Sequence, residues 1–333
     1  MPHVALVRKG VPSAMAVLVD DYLAHLKSKR VASSTIQWHE WCLEGMLLTF
    51  CADHEVAKPA QLTTRLLERL QAQQLAQPNM HTGKPRSPAT VRTYMRSVRD
   101  FLSWARKEGE QVPASAAEIR VPKQPRVKLL RDQIRKLEDG AKTERDKLII
   151  RILADTGMRL DELCRLNLDD LVDENHQRFL SVRHRHYGGG AKGQSARPVP
   201  IPRLWPRLKQ YIKAGRPKDA DSQRIFLSLA RSPRTGKHEP LGERGVQRMI
   251  QGLAIDTLEK RVHPHLFRHA FTFWALTPVA DGGGGMSTVQ VARILGHSST
   301  AMVDKVYAEM IGSEDAYQAL AQALVSEEDS DGR

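Results

Sequence analysis

TERDKLIIRILADTGMRLDEL, residues 143–163, sets the architecture of the chain. Its first part, Thr143–Thr156, reads as a helix, and Gly157 ends it. Arg159 and the acidic pair Asp161 and Glu162 follow the break, so charged groups collect at an element end. Beyond them the period changes. Leu168–Val172, Phe179–Arg183 and Arg197–Ile201 read as short strands, and Gly188, Gly189, Gly190 and Gly193 suit a hairpin tip between the last two. Helices are expected again at Arg203–Ala214, Gly245–Lys260, His265–Leu276, Thr288–Leu295 and Thr300–Met310. Upstream, Asp132–Gly140 is helical. Residues 12–108 read as helices throughout: a first one carrying Val17, Val19, Leu23 and Leu26, then Ser34–Phe50, Gln61–Leu75 and Ser87–Lys107, the last opened by Pro88. Three prolines and no periodicity make 111–128 a linker. The expected fold is therefore mainly α with a small antiparallel sheet. An all-α domain covers 1–110, an α+β domain 129–312, and a tail 313–333.

Two domains also suit 333 residues, since single cores cluster near ~100–150. With 41% hydrophobic and 27% charged residues the chain is too apolar for general disorder. No apolar run reaches the ~18 residues of a membrane helix, and the amino terminus has no secretory core, so a cytoplasmic protein is expected. Three cysteines, Cys42, Cys51 and Cys164, exclude a disulfide scaffold. The net charge of +13 divides as +8 over 1–130, +10 over 131–312 and −5 over the tail. Both large segments are basic, which points to a polyanion, and to duplex nucleic acid before membrane. Arg92, Arg96 and Arg99 share a helical face, interleaved along the chain with Tyr94, Phe101 and Trp104, and could track a phosphate backbone. Arg120, Lys123 and Arg126 place a further anion contact in the linker.

Metal chemistry fits poorly. His39, Cys42, Cys51 and His54 have zinc-ligand types, but ~1.5 Å of rise per residue puts the two pairs roughly 18 Å apart. P-loop, dinucleotide and GxSxG signatures are absent from the sequence. What remains is Arg159, Lys192 among the glycines, His265 and Arg268 in HPHLFRH, His297 in LGHSS and Tyr307. Two guanidinium forks can stabilise charge on a phosphodiester in its transition state. A phenol can accept the phosphoryl group covalently, while a lysine and imidazoles move protons. No cofactor is required by such a set.

TGMRLDEL (156–163), AKGQSARPVPI (191–201), HPHLFRHAF (263–271) and ILGHSSTAMVDKVY (294–307) resemble, in that order, the tyrosine recombinases of the phage integrase family, over residues 12–320. The resemblance implies an all-helical core-type DNA-binding domain and a catalytic domain of the simple Xer-like type, without an arm-binding domain. It implies Arg159 and Arg268 as phosphate clamps, Lys192 as general acid, His265 and His297 as pocket imidazoles and Tyr307 as nucleophile. Glu162 would support the first arginine from behind. Three features depart from the family: ten residues rather than nine from His297 to Tyr307, a longer loop with Gly282–Gly285, and Ala191 before the lysine. The implied partners are duplex DNA with specific sites and three further copies, as a homotetramer on two sites. The tail places Tyr317, Leu320, Ala321, Leu324 and Val325 on one stripe of a short helix, capped by Ser313. Such a helix must dock, either on its own domain or, as the resemblance implies, on a neighbouring protomer. A type IB topoisomerase and a catalytically idle DNA-binding protein of the same fold are the competing readings.

Overall fold

The structure is a computed structural model that describes residues 14–79, 83–115, 119–121, 128–175, 177–183, 196–297 and 299–310. The described residues form two compact units, one ending by residue 121 and one beginning at 128. No described helix is long and apolar enough to cross a membrane.

The first unit is all helical. Helix α1 (Ala14–Ser28) buries Met15, Leu18, Val19, Tyr22 and Leu23, the spacing of a single helical face. Helix α2 (Ser33–Cys42) widens into a π-helical stretch, Leu43–Leu48, before α3 (Thr49–Asp53), where sequence periodicity predicts one regular helix. Helix α4 (Thr64–Ala76) starts where the Thr63 hydroxyl accepts from the Leu66 N–H. Helix α5 (Pro88–Lys107) starts at Ser87, which accepts from Thr90, with Pro88 in the first turn. Along α5, Val91, Met95, Val98, Phe101, Leu102 and Ala105 are buried. Val112, Ala114 and Ile119 join the same core, so the first half of the proline-rich stretch packs on this unit. The two zinc-type pairs serve other ends. His39 Nδ1 lies 2.8 Å from the buried Ser97 Oγ, and His54 Nδ1 lies 3.0 Å from the Phe50 carbonyl. The described residues contain no cluster of His, Cys, Asp or Glu that could hold a metal.

The second unit begins with α6 (Arg131–Gly140), α7 (Glu144–Thr156) and α8 (Leu160–Arg165). Strands β1 (Leu171–Glu174), β2 (Gln177–Val182) and β3 (Arg197–Pro200) form an antiparallel sheet in that order, with Leu180 opposite Val199 and Val182 opposite Arg197. The expected strand from Leu168 begins instead as a 3-10 turn, Leu168–Asp170, because the Asp170 carboxylate accepts the Asn167 N–H at 2.9 Å. Helix α9 (Trp205–Gln210) runs into a π turn, Tyr211–Gly215. A small second sheet, β4 (Leu227–Arg231) with β5 (His238–Pro240), is not foreshadowed by any sequence pattern. Its strands are short and bury only Leu227, so they carry no alternation of burial to detect. Helices α10 (Glu243–Leu258), α11 (His265–Leu276), α12 (Thr288–Leu295) and α13 (Ala301–Met310) complete the unit. The Gly282–Gly285 loop folds back on the end of α11. Gly284 N–H donates to the Trp274 carbonyl at 2.8 Å, and Met286 N–H to that of Ala275 at 2.7 Å. A satellite core of Phe271, Ala275, Val291, Ala292, Leu295 and Val303 holds α11, α12 and α13 together.

Candidate active site

The site starts from Gly157. It has φ +61°, and a Cβ there would lie 2.5 Å from the Phe271 ring and 2.7 Å from Leu295, so only glycine fits. This close approach brings the carbonyl at the end of α7 onto α11. Arg268 takes it, donating Nη1–H to Gly157 O at 2.9 Å, and Nη2 donates to Leu295 O at 2.8 Å. The same Nη2 lies 2.6 Å from His297 Nε2. Arg268 is thus a buried tie between the ends of α7 and α12 and the pocket imidazole. Burial first, then the neighbouring Arg159 charge, push its pKa down to about 10, which still leaves it charged.

His297 follows from that bond. A guanidinium can only donate, so Nε2 accepts and Nδ1 carries the proton of the neutral ring. Burial, reinforced by Arg268, Arg159 and Arg197, pushes the imidazole pKa down to about 4. Its Nδ1 is buried without a hydrogen-bond partner among the described residues. An unmet buried donor beside arginines is what an entering anion would satisfy.

Glu162 lies beneath Arg159. Its side chain is 3% exposed, and its Oε2 accepts the Arg159 backbone N–H at 2.8 Å, closing the first turn of α8. The Arg159 guanidinium touches Oε1 through a single contact of 3.2 Å and stays 40% exposed. Burial alone would raise Glu162, but the Arg197 fork outweighs it and holds the carboxyl below the ordinary glutamate range. Arg197 is not marked by the sequence as a member of this cluster. It stands at the head of β3 and reads there as an ordinary strand-end cation.

The structure gathers Arg159, Glu162, Arg268 and His297 into one cluster. His265, the first residue of α11, is exposed and sits one turn before Arg268, its ring edge-on to His269 at 4.5 Å. Tyr307 is half-buried on α13, its ring 6.2 Å from that of Phe273 on α11. In the first unit Arg96 is exposed on α5, with Arg92 and Arg99 half-buried beside it, and Arg120 is exposed after the buried Ile119. Lys192, Lys123, Arg126 and the tail helix expected after Ser313 lie outside the described residues.

Residues 128–311 match the phage integrase family. Tyrosine recombinase XerD of Listeria monocytogenes is 27% identical over 84% of this chain and 90% of its own length. Tyrosine recombinase XerA of Pyrococcus furiosus is 25% identical over 85% and 86%. Among solved structures, the Tn1549 transposon integrase in complex with transposon right end DNA aligns with a TM-score of 0.66 at 17% identity, over 93% of this chain and 99% of that one. A lambda integrase tetramer bound to a Holliday junction aligns at 0.60 and 16% identity, over 85% and 77%. These two alignments establish a shared fold.

Proposed function

The chain belongs to the phage integrase family, and from that membership we propose that this tyrosine recombinase cleaves and rejoins duplex DNA through a covalent 3′-phosphotyrosine on Tyr307. The observation that carries the reading is the Arg268–His297 pair, whose Nδ1–H has no partner among the described residues, with the half-open Arg159 charge acting on the same ring. Arg159 and the His297 Nδ1–H hold the non-bridging oxygens, and Arg268 supplies the fixed positive charge behind them. The Tyr307 oxygen attacks phosphorus while His265 takes the phenolic proton. The bond from phosphorus to the 5′ oxygen breaks, and Lys192 gives that oxygen its proton. Attack by a free 5′-hydroxyl on the phosphotyrosine reverses each step. Because the phosphotyrosine keeps the bond energy of the diester, rejoining needs no nucleotide, and the arginines provide the charge a metal would otherwise supply.

The basic face of the first unit, with Arg92, Arg96, Arg99 and Arg120, holds the duplex in this reading, joined by Lys123 and Arg126 of the linker sequence. Four copies act on two sites, linked through their tails in trans. The test is covalent capture of DNA fragments from the chain's own genomic neighbourhood. Wild-type protein should form an adduct that maps to Tyr307, and Tyr307→Phe should form none while binding the same fragment. An adduct on Tyr317 would reject the assignment, and no adduct at all would favour an idle DNA-binding protein. Exchange of strands between two captured sites separates a recombinase from a nicking and relaxing topoisomerase.

A further inference from the structure

Arg197 takes no part in the steps above, yet it is built into the same cluster. Its side chain is only 10% exposed, and all three of its guanidinium nitrogens are engaged. Nη1 donates to Glu162 Oε1 at 2.9 Å and Nη2 to Oε2 at 2.6 Å, a two-toothed fork on a buried carboxylate. Nε donates to the Ile294 carbonyl at 2.7 Å, at the end of the helix that leads to His297. The turn between them rests on the same group. Gly296 has φ +68°, and a Cβ there would lie 3.1 Å from Arg197 Nη1 and 3.3 Å from Cζ.

We propose that Arg197 is a positioning residue for DNA cleavage, saturating the Glu162 carboxylate so that the Arg159 guanidinium remains available to the scissile phosphate. The inference rests on the cleavage reading above and concerns how its first arginine is kept free.

Glu162 and the phosphate compete for one guanidinium. Glu162 follows Arg159 by three residues on α8, within easy reach of it, and a lone arginine beside a buried carboxylate closes on it in a fork. That fork would turn the Arg159 donors away from any phosphate and cancel its charge. Arg197 takes both carboxylate oxygens first, and Arg159 keeps the one 3.2 Å contact that orients it. Charge tells the same story. Arg159, Arg197 and Arg268 against Glu162 leave the pocket at +2 with His297 neutral. Loss of Arg197 lowers it to +1, and further loss of the Glu162 charge restores +2.

The test uses the duplex fragment that wild-type protein captures, in two forms: the natural diester, and a methylphosphonate at the scissile position that lacks the anionic oxygen. Adduct formation is followed in single turnover at saturating DNA, with melting temperature and DNA affinity measured for each variant. Arg197→Gln should cleave the diester about 100-fold more slowly, the scale of one lost electrostatic donor. It should lose far less on the methylphosphonate, which asks little of Arg159. Adding Glu162→Gln to Arg197→Gln should recover most of the diester rate, and DNA affinity should stay constant throughout. Equal losses on both substrates would reduce Arg197 to a structural contact and overturn the proposal, as would a double variant no faster than the single one. Wild-type rates in Arg197→Gln overturn it too, while leaving Tyr307 cleavage standing. A wild-type protein that forms no adduct removes the cleavage reading and this inference with it.

Discussion

Each unit holds an imidazole with a ring nitrogen out of solvent, buried His39 in one and half-buried His297 in the other, and the two are handled in opposite ways. In the first unit His39 lies against the Ser97 hydroxyl at 2.8 Å and edge-on to Tyr22, in a core of apolar side chains. Its polar contact is closed, and burial pushes its pKa below the ordinary histidine value. In the second unit His297 accepts from Arg268, and its Nδ1–H has no partner among the described residues, with three arginines and one carboxylate acting on it. A closed pair holds a fold together. An open one, kept neutral among cations, is what the proposed cleavage of a phosphodiester would use. The same contrast separates the arginines: Arg96 on α5 faces solvent, whereas Arg268 is spent on two backbone carbonyls and the imidazole.

The strongest way to break this comparison is to remove Arg268. Arg268→Ala should slow adduct formation by on the order of 10²–10³ or more. It should also lower the melting temperature, since Gly157 and Leu295 lose a buried donor. Arg159→Ala should match the rate loss with little change in melting temperature, because that side chain is half open to solvent. Equal destabilisation by both would show that the pocket is not divided into an inner tie and an outer clamp.

A second test concerns the neutral ring. Folded His297 titrates at about 4 against 6.5 for an ordinary histidine, so the unfolded chain takes up protons first as the pH falls. Its contribution to stability is present above about 6.5 and is lost progressively towards pH 4. His297→Gln should flatten this acid limb of a denaturation series. It should also slow cleavage, whereas His39→Gln should flatten the limb and leave the cleavage rate of folded protein unchanged. A cleavage inflection near pH 6.5 that disappears in His297→Gln would contradict a pKa of about 4 for this ring.

Smaller effects are expected at the outer faces. Replacing Arg92 or Arg96 with Ala should weaken DNA binding and reduce its salt slope by about one for each phosphate left without its cation, with the saturated cleavage rate unchanged. The smallest effect belongs to the closed pair. Ser97→Ala should cost about 1–3 kcal/mol of stability, read by denaturant unfolding, and nothing in cleavage. Lost activity in the folded Ser97→Ala protein would erase the distinction between the two imidazoles.

Most of the helices were legible because an amphipathic period repeats over several turns, and some ends because Pro88 suits a first turn and Gly157 a left-handed close. The small sheet of β4 and β5 was not, since strands of three to five residues with little burial leave no pattern. The π-helical stretch at Leu43–Leu48 was hidden for a different reason: its extra residue per turn leaves apolar spacing still readable as α.

For the site, the sequence by itself determined which groups are present: Arg159, His265, Arg268, His297 and Tyr307 each stand beside a readable turn or helix. Their unequal burial and contacts were decided by tertiary structure. Nothing in HPHLFRH says that Arg268 points inward to carbonyls 111 and 27 residues away, or that Arg159 remains outside. Arg197 shows the limit most clearly, because its partners Glu162 and Ile294 are 35 and 97 residues distant in sequence. Local pattern reports a residue's own period and caps. Which buried charge it answers is settled only when α8, β3 and α12 pack, because the cost of an unpaired charge depends on surroundings that the whole fold supplies.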